Sequence, residues 1–198
     1  MLISAKLAPL FAYEELERFW RAADELGFHA VWNYDHFYGL GGTVADFRHD
    51  TLEGWTTLAA MATIVKRARI GCMVTGVTYR HPAVLANMAV TVDHISGGHL
   101  EFGLGAAWHE AEHAGYGIDF PRAGVRIAML DEHCEAIGRD PKEIRRGVQV
   151  FIHPEQEEQM SKQIGLLPGF EQAGCEHAVL SFYQPPSRAQ LEQVAPAS

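Results

Sequence analysis

Apolar positions along the chain switch repeatedly between two spacings. LISAKLA (Leu2 to Ala8) reads as a short strand. YEELERFWRAADELG then brings Leu16, Phe19, Trp20, Ala23 and Leu26 onto one helical face, and Gly27 suits the closing cap. FHAVWNYDHF is a buried strand that turns polar at its end. LEGWTTLAAMATIVKR restores the helical spacing through Leu52, Trp55, Leu58, Ala59, Ala62 and Val65. ARIGCMVTG predicts a third strand. Pro82 opens a helix whose face holds Leu85, Met88, Ala89, Val92 and Ile95, and Gly97-Gly98 closes it. HLEFGLG follows as a strand, then a helix over roughly Gly124 to Ile137. GVQVFI as a strand, a helical stretch interrupted at Pro168, and HAVLSF as the last strand complete the pattern. Six strands with near-continuous apolar cores, alternating with helices, predict an α/β fold with a parallel sheet covered by helices.

Composition narrows the classes. With 198 residues and 47% hydrophobic content the chain is sized for one domain with a substantial core. A formal net charge of -9 argues against nucleic acid and anionic membrane as partners. No apolar run is long enough to span a bilayer, and the first residues lack a signal-peptide pattern. Cys72, Cys134 and Cys175 are odd in number and unclustered, which reads as reduced thiols in a cytoplasmic protein.

One short motif suggests metal chemistry. His109-Glu110-Ala111-Glu112-His113 fits H-E-x-x-H, which on a helix places two histidines on one face for zinc. Here a strand and a Gly-rich loop precede it, and Gly115 and Gly117 follow at once. No third ligand is tied to it by a further pattern. The expectation is a loop and short helix, with no metal.

Ligands of parallel α/β architectures bind at the carboxyl ends of the strands. Strand two ends in Asn33-Tyr34-Asp35-His36, strand three in Cys72-Met73-Val74-Thr75-Gly76, and strand four in Gly103-Leu104-Gly105-Ala106-Ala107-Trp108-His109. Asp35 and His36 offer either an acid/base group with an orienting neighbour or a polar pair closing the mouth. Gly103 and Gly105 permit close backbone approach by a ring or a phosphate, or tight packing of strand into loop. They lack the third glycine of a dinucleotide fingerprint.

TLEGWTTLAAMAT, RARIGCMVTGVTYRHPAVLANMAVTVDHISGGHLEFGLGAAWHEAEHAGYGIDFP and GRDPKEIRRGVQVFI carry a wider resemblance. Together they resemble the bacterial luciferase-like monooxygenase superfamily, in its branch of coenzyme F420-dependent oxidoreductases. The resemblance implies a (β/α)8 barrel binding F420, or alternatively FMN, at the C-terminal mouth. It also implies hydride transfer or monooxygenation of a small molecule. Matched by position, Asp35 and His36 would lie beside the reactive ring, with His36 transferring the proton and Asp35 orienting it. Cys72 and Met73 match a strand bulge with a non-prolyl cis peptide against the ring. Thr75, Gly103, Gly105, Ala107 and Trp108 complete the expected cofactor-binding set. A glutamate of the sugar-phosphate dehydrogenase branch has no match, since Trp108 stands in its place.

The chain departs from the family where Leu130-Asp131-Glu132 runs directly into His133-Cys134. Relatives carry strands five and six and a phosphate-binding turn there. The expectation is a single domain over 1–198, a truncated barrel of about six parallel strands with an internal deletion near 131–134. We expect the strands on either side of the join, Leu100–Leu104 and Val148–Ile152, to become neighbours in a closed or nearly closed sheet, with a homodimer burying the remaining apolar surface. Weak cofactor binding follows from the lost phosphate contacts. The alternative function is a shortened, inactive member serving as a ligand-binding or interaction domain.

Overall fold

The structure is a computed structural model and describes residues 1–39, 51–105, 107, 109–120, 147–172 and 177–195. Six strands occur among them: β1 (Leu2–Leu7), β2 (Ala30–Asn33), β3 (Arg69–Gly76), β4 (Leu100–Gly105), β5 (Gly147–Ile152) and β6 (His177–Phe182). The helices are α1 (Tyr13–Glu25), α2 (Gly54–Ile64), α3 (Pro82–Ser96), α4 (Glu110–Tyr116), α5 (Glu157–Ile164), α6 (Leu167–Gln172) and α7 (Arg188–Val194). All pairings are parallel, and the sheet runs β4-β3-β2-β1-β6-β5.

Strand alternation divides the sheet into two faces. Ala5, Leu7, Val31, Ile70, Cys72, Ala178 and Leu180 pack into one core with Leu16, Phe19 and Trp20 of α1 and Leu58 and Met61 of α2. The opposite face holds a smaller cluster of Ala30, Trp32 and Val179, joined by Met73. At the helix ends, Glu53 caps α2 by accepting from the Trp55 and Thr56 amides, and Ser187 forms a capping box with Gln190 on α7. Asp24, buried near the end of α1, accepts the amides of Lys66, Arg67 and Ala68 and so fixes the entry into β3.

β2 stops at Asn33, so the polar tail Tyr34-Asp35-His36 leaves the sheet as a loop. The expected apolar faces hold with two exceptions. Leu52 precedes the α2 cap and is 38% exposed, and Ile95 near the end of α3 is 43% exposed. The expected helix over 124–137, the join near 131–134, Cys134, Cys175, and the segment between β4 and β5 beyond residue 120 lie outside the described residues.

The expected pairing of β4 with β5 is corrected. Among the described residues the two strands are opposite edges of the sheet, which is open. Closure fixes strand tilt and stagger to the number of strands. The inner face still carries Trp32, Met73, Lys6 and a Gln149–Ser181 hydrogen bond. Drawing the edges together would displace that bulk, and interiors tolerate overpacking poorly.

Candidate active site

The carboxyl ends of the strands surround a cavity of about 440 Å³. Lys6 and Ala8 enter it from the β1 end, Tyr34, Asp35 and His36 follow β2, and Met73 and Val74 come from β3. Gln149 and Phe151 of β5 and Ser181 of β6 form the other wall. The volume is in the range for a small-molecule site.

At β3 the ladder to β4 shifts register between Cys72 and Thr75, and the Met73–Val74 peptide is cis. The expected bulge is therefore present, with its cis bond one residue beyond Cys72-Met73. Gly105 has a local reason: a Cβ there would lie 2.1 Å from Val74 Cγ2, so only glycine lets β4 pass the bulge. Ala107 lines the cavity with a left-handed backbone, φ 48°.

His36 is held by a carboxylate from the other side of the mouth. Its Nδ1 lies 3.0 Å from Glu112 Oε2 on α4. Glu112 Oε1 also accepts the Phe37 and Tyr38 amides at 2.9 Å each, and Oε2 accepts the Tyr79 hydroxyl. Burial pushes the Glu112 carboxyl upward, but the bonds from His36, Tyr79 and Tyr38 outweigh it and hold the group below its ordinary value. An ionised carboxylate only accepts, so His36 Nδ1 donates to it. The Tyr79 hydroxyl is pushed well above its ordinary value, by burial first and then by Glu112. Gly115 on α4 passes close to Tyr38, where a Cβ would meet the phenol oxygen at 2.0 Å.

Asp35 serves the scaffold. Arg80 grips it bidentately at 2.5 and 2.7 Å and also pairs with Glu53, and the Gly76 amide donates to Asp35 at 3.0 Å. Burial pushes the Asp35 carboxyl up, and Arg80 and the Gly76 amide pull it partly back. One ion-pair network thus ties the end of β2, the start of α2 and the loop before α3. The carboxylate bonded to His36 Nδ1 is Glu112, while the contacts of Asp35 are to Arg80 and the Gly76 amide.

The H-E-x-x-H segment resolves into separate duties. His109 precedes α4, and its carbonyl accepts from His113 Nδ1 at 2.9 Å. That fixes the proton on Nδ1, so His113 Nε2 accepts the Thr78 hydroxyl at 2.7 Å. Among the described residues no group of three or more His, Cys, Asp or Glu is arranged to hold a metal.

Of the residues expected at the site, Asp35, His36, Met73 and Ala107 line the cavity. Cys72 faces the helices in the main core, and burial raises its thiol well above the ordinary range. Thr75 is fully buried outside the cavity wall. Gly103 and Gly105 support the bulge from β4, a Cβ on Gly103 falling 3.0 Å from the Cys72 carbonyl oxygen. Trp108 lies outside the described residues. Sequence reasoning missed Glu112, Tyr79, Arg80 and Lys6; the signal for Glu112 was an acid inside the zinc-like motif, four residues before Tyr116.

A profile of the luciferase-like monooxygenase family matches residues 3–128, covering β1 through α4 and therefore the whole His36 side of the mouth. The chain belongs to this family. The F420-dependent glucose-6-phosphate dehydrogenase of Amycolatopsis mediterranei is 31% identical over 134 residues, 66% of this chain and 38% of that protein. The oxygenase component of the flavin-dependent trigonelline monooxygenase of Acinetobacter baylyi is 31% identical over 120 residues, 60% of this chain and 31% of that protein. The chain thus spans about a third of the length of such curated relatives. Among solved structures, an F420-dependent secondary alcohol dehydrogenase in complex with an F420-acetone adduct superposes with a TM-score of 0.73, at 12% identity, covering 96% of each chain. This likeness shows the fold, a TIM-barrel-like α/β sheet of six parallel strands. No helix among the described residues is long and apolar enough to cross a membrane.

Proposed function

We propose that this chain is an oxidoreductase that works on a small molecule with a flat redox ring, coenzyme F420 in the first reading and FMN in the alternative. The observation that carries it is the His36–Glu112 pair standing in the same mouth as the Met73–Val74 bulge. The lining fits a ring: Tyr34, Met73, Val74 and Tyr79 present apolar and aromatic surface, with one imidazole at the rim. Bound there, the ring would supply hydride transfer or, as FMN, oxygen activation.

The chain's own groups supply the rest. His36 takes or gives a proton at Nε2. Glu112 stabilises the imidazolium that forms and fixes the ring orientation. Phe37 and Tyr38, whose amides Glu112 binds, form an aromatic group with Tyr116 and with Tyr79, which lines the cavity.

A second reading, a shortened member that binds a ring without turnover, is favoured by β4 and β5 standing as the sheet's edges among the described residues. We also infer a homodimer in the cytoplasm. Edge strand β4 exposes Phe102 at 45%, surface that a second copy would cover. Sedimentation equilibrium returning a monomer at all concentrations would refute the dimer.

Fluorescence titration with F420 and with FMN tests the function. We expect saturable but weak quenching, because Arg80 is taken up by Asp35 and Glu53 and the family's phosphate turn has no match in the sequence. Turnover of either ring then separates the enzyme from the inactive member. Absence of saturable quenching by both ligands would remove the proposal.

A further inference from the structure

Lys6 is a buried cation that neither the fold nor the His36 pair uses. It sits within β1, 9% exposed, and its side chain enters the cavity. Its Nζ lies 5.8 Å from the centroid of the Tyr34 ring. Asp35, the carboxylate in the described cavity wall, is gripped by Arg80 and the Gly76 amide. Burying an ammonium without a paired anion is costly. The surroundings of Lys6 are polar on one side only. Ser181 pairs with Lys6 in the β1–β6 register, and the Gln149 amide donates to the Ser181 oxygen at 2.7 Å. That bond satisfies the Ser181 acceptor and leaves its hydroxyl proton to be donated elsewhere. Ammonium and hydroxyl thus lie on neighbouring strands and on the same face. Phe151 and Tyr183 flank them with aromatic surface.

We propose that Lys6 and Ser181, with Gln149 orienting the hydroxyl, receive the carboxylate of a planar aromatic acid, and that this is the substrate class of the site. The proposal rests on the reading of the cavity as the substrate chamber of a ring-dependent oxidoreductase. The acid's carboxylate would accept from Lys6 Nζ and from the Ser181 hydroxyl, and its ring would lie among Phe151, Tyr183 and Tyr34. The β3 bulge stands two strands away from β1, which leaves the reactive ring its own wall. Burial lowers the Lys6 ammonium from 10.5 to about 8, so it still carries its charge at neutral pH and gains an anion's full attraction there.

Calorimetric titration of the whole chain with benzoate, and with benzamide as its neutral counterpart, tests this without any redox ligand present. We expect benzoate to bind and benzamide to bind at least about tenfold more weakly, the factor that loss of one charge-assisted hydrogen bond produces. Lys6→Met should weaken benzoate by about tenfold or more and leave benzamide unchanged, and Lys6→Arg should restore part of the loss. Lys6→Met removes a buried charge with no carboxylate partner among the described residues, so it should fold, and a thermal melt at or above that of the parent confirms it. Ser181→Ala gives a smaller loss of about threefold. Equal benzoate affinity in the parent and in Lys6→Met, or no benzoate binding by the parent, overturns the proposal. F420 and FMN quenching on the same preparations is read separately: its absence beside intact, Lys6-dependent benzoate binding counts against the redox function and supports the acid-binding site.

Discussion

Two histidine–glutamate pairs link the β2 and β4 segments at opposite ends of the sheet. At the amino end His29 meets Glu101 at 3.1 Å, and Arg69 shares the same carboxylate at 3.0 Å. At the carboxyl end His36 meets Glu112 at 3.0 Å, with Tyr79 and two backbone amides as the other donors. The chemistry of the pairs is alike and their settings are not. Glu101 is 17% exposed and shares its charge with a half-exposed arginine, whereas the Glu112 side chain is fully buried. Near the lower pair, Ser4 and His177 bond at 2.6 Å and the His29 and His177 rings meet edge to face. The upper pair faces a cavity. A histidine–carboxylate pair becomes a candidate for proton transfer through what lies beside it, and here the upper pair has the cavity beside it.

The largest expected difference between the pairs is in stability. Glu112→Ala strands His36, Tyr79 and two amides inside the protein and should cost about 3–5 kcal/mol. Glu101→Ala leaves groups that water reaches and should cost about 1 kcal/mol or less. Urea denaturation of both variants checks the contrast, and equal costs would dissolve it.

Acid sharpens the same comparison. The folded Glu112 carboxyl lies below its ordinary value of 4.5, so the unfolded chain protonates first as pH falls. The stability it contributes is therefore complete above about pH 4.5 and is lost as pH falls through the folded value. Glu112→Gln should flatten the stability–pH curve in that window, and Glu101→Gln should change it less. Curves of identical slope for both variants would contradict the assignment.

Smaller effects are expected at the histidines themselves. Both His29→Ala and His36→Ala should fold, each losing about 1–2 kcal/mol. Melting curves check this, and a collapse of His36→Ala would make that residue a structural one.

The strands were readable because each carries an apolar run of the right length between turn signals; β5 and β6 begin and end where GVQVFI and HAVLSF do. β2 was overread because Tyr34 continues the apolar pattern while its backbone has already left the ladder. Period-two spacing also concealed Lys6, a cation within an apolar run whose side chain faces the cavity. His36 was legible from its place after a strand. Its partner was not, since Glu112 lies 76 residues away and that contact exists only once β4 is brought beside β3. The open edge was missed for a related reason: chain connectivity suggested that β4 and β5 could meet, but what fills the inner face decides whether they do.

Ring binding in the paired histidine variants tests the central claim that the carboxyl end is the working end. Titration of the parent, His29→Ala and His36→Ala with F420 and with FMN should give matching saturable quenching in the parent and His29→Ala, and affinity lowered by about tenfold in His36→Ala. Unchanged affinity in His36→Ala together with a loss in His29→Ala would contradict the account.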